Sequence, residues 1–365
     1  MTPDELEAHG LYDPAAVNAA DRLAFLQWLA GRGVTIDEMV AAHREGSLPF
    51  LASGLALRPG RRMSRAAAAA RLGVPAAQFE EFLLAFGLPP DAKDTATLTE
   101  TETRLVGAFA DGVALFGEPA LQRLARVIGQ SVARIAEAMV AMNREQQLGP
   151  LVSTSHSELA YAQAVLRAAE SATAPSAMVR GLLPIHVELA AARLRRGRTS
   201  DVDETIQACV GFVDLVGFTT ISRRTSSAAL GDLIDRFEEV AHDVATARGG
   251  RVVKFIGDEV MFVTTQAASG CDIALALIER FAGDPTVTPR GGIATGEMLD
   301  RGGDYYGPVV NLAARIAELA VPEEVLVSEE LAAAVQTPRF RCDPAGRRSL
   351  RGFDEPVSLL SVTRS

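Results

Sequence analysis

The chain has 365 residues, a formal net charge of −10 and a hydrophobic fraction of 48%. Its length predicts two domains with packed cores, and its negative charge argues against nonspecific binding to nucleic acid or to an anionic membrane. The sequence has neither a signal-peptide pattern nor an apolar run of about 18 residues that would span a membrane. The three cysteines, Cys209, Cys271 and Cys342, lack metal-ligand spacing. We therefore expect a cytoplasmic protein with no nucleic-acid partner and no transmembrane segment.

The first predicted domain, residues 1–192, is an all-helical bundle. It is rich in alanine and leucine and has almost no alternation of the kind that strands show. Thr35 with Glu38, and Ser155 with Glu158, have the spacing of capping boxes, which predicts two helix starts. The long segments with helical periodicity are Ala16–Ala30, Glu102–Asn143 and Glu158–Glu170.

One segment of this half, MSRAAAAARLGVPAAQFEEFLLAFGLP, suggests a DNA-binding helix-turn-helix as a rival interpretation. Its second helix carries Glu80 and Glu81 and no basic residue, which is the wrong sign for a phosphate backbone. An ordinary hairpin of two helices in the bundle core is the favoured interpretation.

Residues 193–204, RLRRGRTSDVDE, form the predicted linker, in which Gly197 and a Thr-Ser pair mark a helix end. The helical segment before it, LLPIHVELAAARLRR, leads directly into the linker. The linker is either a solvated hinge or an element that transmits a signal. His186, between Pro184 and Glu188, is the candidate regulatory residue, because a histidine titrates near neutrality and its charge can favour one of two helix arrangements.

The second predicted domain, residues 205–365, alternates strands and helices. In chain order the pattern predicts a strand (IQACVGFVDLV), a helix (Ser226–Arg248), a hairpin (RVVKFIGDEVMFV), a helix (Ala267–Ala282), a strand (RGGIATGEML), a helix from Pro308 and a strand (EVLVS). This is the split βαβ order of a ferredoxin-like core. The whole chain is therefore expected to be α+β, with a helical bundle followed by this core.

Two acids in the second domain indicate a metal site. Asp214 closes the first strand and Asp258 lies at the hairpin turn, and in a split βαβ core these two strands are neighbours. Two carboxylates suit Mg²⁺, which keeps several waters and accepts phosphate oxygens as its other ligands. Lys254, in the same hairpin, is conspicuous because the chain has just one other lysine, Lys93.

Three segments, FVDLVGFTTIS, VVKFIGDEVMF and GDYYGPVVNLAARI, resemble the signature segments of class III adenylate cyclases. The resemblance covers roughly 205–362, and the helical half with its linker resembles the regulatory half of the soluble mycobacterial adenylate cyclases of the pH-sensing type. It implies conversion of ATP to 3′,5′-cyclic AMP and pyrophosphate by a two-metal mechanism, under the control of the helical half.

The resemblance also implies the site residues. Asp214 and Asp258 become the ligands of two Mg²⁺ or Mn²⁺ ions. Lys254 and Asp304 become the pair that selects adenine, which presents an acceptor at N1 and a donor amine at C6. A guanylate cyclase needs the reverse polarity.

Further residues are carried over for the sugar and the phosphates. Asn311 would orient the ribose and Arg315, four residues later on the same helix face, would stabilise charge on the α-phosphoryl group. Phe218 resembles the apolar residue near the sugar, and Arg351 is a candidate triphosphate contact. The family's additional phosphate-binding arginine has no counterpart, since Glu297 occupies the expected region.

In the family two catalytic domains pair head to tail, with the metal aspartates from one and the other polar residues from its partner. One chain with both sets implies a homodimer with two equivalent sites. The alternatives are a catalytically weak cyclase-homology module that senses nucleotides, a guanylate cyclase, or a diguanylate cyclase, whose GGDEF hairpin resembles IGDEV. The downstream NLAAR segment favours the class III assignment.

Overall fold

The computed structural model describes residues 1–89, 97–154, 156–197, 205–284, 286–335 and 337–365. These residues form two compact units, the helical unit Met1–Pro184 and the sheet unit Ile185–Ser365. Within the described ranges, no helix has the length and apolar character needed to cross a membrane. The predicted linker begins inside a helix and its residues 198–204 lie outside the described ranges, so the division at 192 and 205 stays a prediction.

The first unit is helical as expected, except for one pair of two-residue strands. Its helices are α1 (Pro3–Ala8), α2 (Ala19–Ala30), α3 (Ile36–Arg44), α4 (Leu51–Leu57), α5 (Arg65–Leu72), α6 (Ala76–Ala85), α7 (Glu100–Phe116), α8 (Glu118–Asn143), α9 (Gly149–Thr154), α10 (Glu158–Ser171) and the first part of α11 (Thr173–Gly197). A 3₁₀ turn (Leu48–Phe50), a π-helical turn (Arg144–Leu148) and an antiparallel ladder of two short strands, β1 (Arg62–Met63) and β2 (Leu98–Thr99), complete it.

The helix boundaries follow local chemistry. Thr35 and Glu38 form the predicted capping box, with each side chain bonded to the other residue's backbone N–H. The predicted periodic segment 102–143 is two helices, because Gly117 at φ 76° ends α7 in a conformation that favours glycine.

The start of α10 differs from the prediction. Ser155 lies outside the described residues, and Ser157 caps the helix by accepting a hydrogen bond from the Ala160 N–H at 3.1 Å. Glu158 therefore occupies the first helical position instead of the third. The Asp21 carboxylate accepts a hydrogen bond from the Glu158 N–H at 2.8 Å, so a contact from α2 helps to fix this helix start.

The segment with the helix-turn-helix pattern is a hairpin of α5 and α6. Gly73 at φ 67° makes the turn between them. Both helices bury apolar side chains, including Ala68 and Phe79, in one hydrophobic cluster. The inner faces of this hairpin therefore belong to the core of the helical unit.

The sheet unit is a mixed sheet with helices. Its strands are β3 (Thr205–Val216), β4 (Arg251–Ile256), β5 (Glu259–Thr264), β6 (Thr288–Arg301), β7 (Asp304–Tyr306), β8 (Val325–Ser328), β9 (Phe340–Arg348) and β10 (Val357–Arg364). Its helices are the last part of α11, α12 (Phe218–Arg224), α13 (Ser227–Ala247), α14 (Ala267–Arg280), α15 (Pro308–Leu319) and α16 (Glu329–Ala334).

The strand order is β4-β5-β3-β6-β8-β10-β9, with β7 paired to β6 outside this path. β6 and β8 are parallel and the other neighbouring strands are antiparallel. The order β4-β5-β3-β6-β8 contains the predicted split βαβ core, with the first strand beside the hairpin. The sheet is larger than the predicted core, because β9 and β10 extend one edge.

The two faces of the sheet carry separate hydrophobic clusters. Alternate residues of β3 enter one or the other: Val213 packs with residues of α13 and α14, whereas Phe212 packs with residues of α15. α15 lies so close to β6 that a Cβ on Gly292 would come within 2.1 Å of the Ala317 backbone nitrogen. This contact fixes the distance between α15 and the strands that carry the candidate site.

Candidate active site

Asp214 lies near the end of β3, directly opposite Arg290 on β6. The Arg290 Nε donates to Asp214 Oδ1 at 2.8 Å, and Nη2 donates to Oδ2 at 3.0 Å. Nη1 donates to the backbone carbonyl of Glu318 at 2.8 Å and to that of Ala320 at 3.1 Å. Arg290 therefore connects the carboxylate of Asp214 to the carboxyl end of α15, where unpaired carbonyls favour a cation.

Asp258 lies in the turn between β4 and β5, after Gly257 at φ 66°. Burial raises the pKa of Asp258, and the negative charge of Asp214 raises it further. The Arg290 guanidinium opposes that rise. The fold therefore brings the two predicted metal-ligand carboxylates close enough to repel each other.

Glu259, which the sequence analysis did not select, is paired with Asp214 across β3 and β5. Burial raises the pKa of Glu259 to about 7, with further contributions from the charges of Asp214, Glu318 and Asp258. This corner of the sheet therefore holds more negative than positive charge.

Lys254 and Asp304 are adjacent, as the resemblance implies. The Lys254 Nζ donates to Asp304 Oδ2 at 2.5 Å, and the other carboxylate oxygen accepts a hydrogen bond from the Tyr305 N–H at 2.8 Å. The side chains are 40% and 25% exposed, so both are accessible to a ligand. The pairing of β4 with β5 shifts register between Val252 and Lys254, directly before this contact.

The turn that carries Asp304 is held by Arg251. Its Nη2 donates to the Gly303 carbonyl at 2.8 Å, and its guanidinium lies 5.5 Å from the centre of the Tyr305 ring. Arg251 and Lys254 both belong to β4. One strand therefore supplies Lys254 and also supports the turn of its partner acid.

Asn311 and Arg315 lie on α15, one turn apart. Asn311 is exposed, and Arg315 forms an ion pair with Glu318 on the same helix. Glu318, like Glu259 and Arg290, was not selected from the sequence.

The remaining candidates lie as follows. Phe218 begins α12 and packs, partly buried, against the core formed with α13 and α14. Arg351 is exposed in the turn between β9 and β10. Glu297, at the position where an arginine was expected, accepts a hydrogen bond from the Thr205 hydroxyl at 2.5 Å. His186 is exposed on α11. The roles of Phe218, Arg351 and His186 stay predictions.

The register of the sheet explains why Arg290 and Glu259 were missed. Arg290 and Glu259 face Asp214 because of the pairing of β3 with its two neighbours. A charged residue at the start of the apolar strand RGGIATGEML was visible in the sequence, but its partner was not.

The chain is similar in sequence to known nucleotide cyclases. The adenylate and guanylate cyclase catalytic domain family matches residues 201–360. An uncharacterized protein of Mycobacterium tuberculosis is 34% identical over 98% of this chain and 93% of its own length. An adenylate cyclase of Streptomyces coelicolor is 34% identical over 82% of this chain and 78% of its own length.

A pH-sensitive adenylate cyclase of Mycobacterium tuberculosis is 38% identical over 43% of this chain and 41% of its own length. The resemblance inferred from the three sequence segments is therefore confirmed. The chain belongs to the class III nucleotide cyclases, the family of the adenylate and guanylate cyclase catalytic domain.

Proposed function

We propose that this chain is an adenylate cyclase, which converts ATP to 3′,5′-cyclic AMP and pyrophosphate. The observation that carries the proposal is the Lys254–Asp304 pair, in which a donor and an acceptor lie 2.5 Å apart and remain accessible. Lys254 donates to adenine N1, and Asp304 accepts from the C6 amine. Guanine presents the opposite polarity at these two positions, so the pair favours ATP over GTP.

Asp214 and Asp258 are the proposed ligands of two divalent ions, Mg²⁺ or Mn²⁺. The donor set fits such ions, because carboxylate oxygens are hard ligands and because burial, together with the neighbouring negative charges, raises the pKa values of Asp258 and Glu259. Among the described residues, no group of three or more acid, histidine or cysteine side chains is arranged to hold a metal alone. A site with two carboxylate ligands needs no third protein side chain, because water and substrate phosphates supply its other ligands. When bound, the ions supply activation of the 3′-hydroxyl and neutralisation of the leaving pyrophosphate.

The protein's own side chains position the substrate. The ribose 3′-oxygen attacks the α-phosphorus, a new P–O bond closes the ring, and the bond to pyrophosphate breaks while the hydroxyl proton leaves to solvent. Asn311 orients the ribose, and Arg315 donates to the α-phosphoryl oxygens as their charge increases. Arg315 is paired with the exposed Glu318 in the free chain, so substrate binding exchanges one anionic partner for another. Phe218 packs near the sugar, and Arg351 contacts the triphosphate.

The active form is proposed to be a head-to-tail homodimer, with Asp214 and Asp258 from one chain and Lys254, Asp304, Asn311 and Arg315 from its partner. Exposed apolar side chains support it. They lie close in sequence to both sets of site residues: Ile256 precedes Asp258, and Tyr306 follows Asp304. Leu319 ends the helix of Arg315, and Val321 follows that helix. Apolar side chains grouped in this way indicate a surface that a partner covers.

A second apolar surface supports association of the helical unit. Along α8, large side chains spaced by three, four or seven residues are exposed: Leu124, Ile128, Val132, Ile135 and Met142. Such spacing places them along one stripe of the helix, as in helices that pair.

We propose that this half, residues 1–192, is a regulatory domain and that residues 193–204 link it to the catalytic domain, residues 205–365. We propose that the signal for this regulatory domain is pH.

One experiment tests the proposed activity. The purified chain is incubated with ATP or GTP and with Mg²⁺ or Mn²⁺, and the products are separated by chromatography. The expected result is cyclic AMP and pyrophosphate in equal amounts, with ATP strongly preferred. Cyclic GMP or a cyclic dinucleotide from GTP would replace the proposal with a guanylate or diguanylate cyclase. Nucleotide binding without any product would replace it with a sensing module.

A further inference from the structure

Arg251, on β4, contacts the residues on both sides of Asp304. Its Nη2 donates to the carbonyl of Gly303, which precedes Asp304, at 2.8 Å. Its guanidinium lies 5.5 Å from the centre of the ring of Tyr305, which follows Asp304. None of the roles carried over from the cyclase resemblance falls on Arg251.

The turn before Asp304 has no side chains that could hold it in place. Gly302 and Gly303 connect β6 to β7 with φ angles of 64° and 80°, as in a two-residue hairpin turn whose central residues are both left-handed. Glycine loses more conformational freedom on folding than any other residue. The position of this turn therefore depends on contacts from outside it, and Arg251 supplies one of them.

The proposed role of Asp304 depends on where this turn lies. One of its carboxylate oxygens accepts a hydrogen bond from the Lys254 Nζ, and the other accepts one from the Tyr305 N–H. The Tyr305 side chain is buried in the hydrophobic cluster that includes residues of α15. A displaced turn would move the carboxylate away from the C6 amine of adenine that it is proposed to bind.

The alternative role for Arg251 is that of a countercharge. Burial raises the pKa of Asp300 on β6, and the positive charges of Arg251 and Arg193 oppose that rise. A countercharge needs neither a planar guanidinium nor a bond to a backbone carbonyl. In the described part of the chain, the buried Nε of Arg251 has no hydrogen-bond partner, a cost that lysine would avoid. The contacts with Gly303 and Tyr305 therefore account for an arginine here better than charge alone does.

We propose that Arg251 is a positioning residue for base selection, which fixes the Asp304 carboxylate through the residues before and after it. This inference rests on the proposed function, since it takes Asp304 as the acceptor for the C6 amine. In this role the guanidinium contacts no part of the substrate and acts through Asp304. Loss of Arg251 should therefore weaken recognition of the amine and leave the chemical step unchanged.

The test compares ATP with purine riboside 5′-triphosphate, which lacks only the C6 amine. In the full parent chain, kcat/KM should be about 10-fold or more higher for ATP, because the analogue leaves Asp304 without its partner. We expect Arg251→Met, which removes the guanidinium, to reduce this ratio by about 5-fold or more, mainly through a higher KM for ATP. In the background Asp304→Ala, which removes the acceptor, Arg251→Met should no longer change the ratio.

Arg251→Lys separates the two roles, because lysine keeps the charge and loses the planar group. A countercharge role predicts a parent-like ratio in this variant, whereas the positioning role predicts a lower ratio in both variants. General damage to the fold would lower kcat/KM for both substrates by the same factor and leave their ratio unchanged. The matched control is Arg248→Met, since Arg248 pairs with Asp272 and should leave the ratio as in the parent.

Unfolding midpoints are measured for every variant, and Arg251→Lys decides the test if Arg251→Met is unfolded at the assay temperature. A parent-like ratio in a folded Arg251→Met, or in Arg251→Lys, would overturn the inference and leave the proposed function intact. A parent chain that uses the analogue as well as ATP would show that Asp304 does not bind the amine. A parent chain that forms no cyclic AMP would overturn the proposed function together with this inference.

Discussion

Glu259 illustrates what a single side chain experiences at the site. It lies opposite Asp214, and burial raises its pKa from the usual 4.5 to about 7. Because this pKa is higher in the folded chain than in the unfolded chain, the folded chain binds the proton more tightly at pH values between the two. The associated stability is present below about pH 4.5 and is lost as the pH rises through 7.

We therefore expect Glu259→Gln to match the parent in thermal stability near pH 5 and to exceed it near pH 8, in the absence of metal. Glutamine stays neutral, whereas the parent must bury a charge among like charges. Unfolding midpoints in EDTA across this range provide the measurement. The opposite order at pH 8 would show that the carboxylate is stabilised in the fold.

The base-selecting pair gives a second residue-scale prediction. Lys254→Glu with Asp304→Cys should weaken ATP use and shift preference toward GTP, because the donor and the acceptor are both replaced. The ratio of kcat/KM for ATP and GTP is the measure, and each variant should keep the parent's unfolding midpoint. If the double variant still uses ATP as well as the parent does, these residues do not contact the base.

Among single residues, the sequence predicted those that stand in a recognisable segment of their own. Lys254 and Asp304 were paired through a family resemblance, and the structure brings them into contact. Arg290 and Glu259 could not be predicted, because their importance comes from facing Asp214 across two strand pairs. A shift of one residue in register would turn both side chains to the other face of the sheet.

At the scale of elements, periodicity predicted the central strands and long helices of the sheet unit, whereas the short β7 and the strands β9 and β10 at one edge were missed. β9, FRCDPAGRR, carries a proline, a glycine and several charges, so its sequence does not alternate like a strand. It lies at the edge of the sheet, where a proline is tolerated, and its conformation depends on pairing with β10. Whether such a segment forms a strand therefore depends on its pairing with a neighbouring strand.

α11 carries the regulatory prediction, since it runs from the helical unit into the sheet unit and is exposed along much of its length, including at His186. Removal of residues 1–192 should change the rate several-fold and flatten its dependence on pH between about 5.5 and 8, the range that histidine covers. In the full chain, His186→Ala should reproduce part of that flattening.

The measurement is the pH–rate profile of the full chain, the truncated chain and the point variant, each with its oligomeric state checked. His156→Ala, in the helical unit, serves as the control for loss of a histidine. Three superimposable profiles would leave the helical half as a scaffold or as the sensor of another signal.

The whole molecule is proposed to work as a dimer, and complementation tests this. Asp258→Asn and Arg315→Gln each disable one half of a shared site, and both avoid leaving Arg290 without its partner. After mixing and subunit exchange, we expect about a quarter of the parent rate, since half the dimers are mixed and each has one intact site. A mixture no more active than the separate variants, with exchange verified, would argue that each chain builds its own site.

The contacts of Arg290 have a consequence for such a dimer. Asp214 would serve one site, while α15, which carries Asn311 and Arg315, would serve the other. In that arrangement one guanidinium would join a residue of the first centre to the end of the helix that serves the second. Occupation of the first centre, by ordering Asp214, would bias the end of α15 and so alter the affinity of the second. A pair of chemically equivalent sites would then bind nucleotide cooperatively, and by linkage each would influence the other to the same extent.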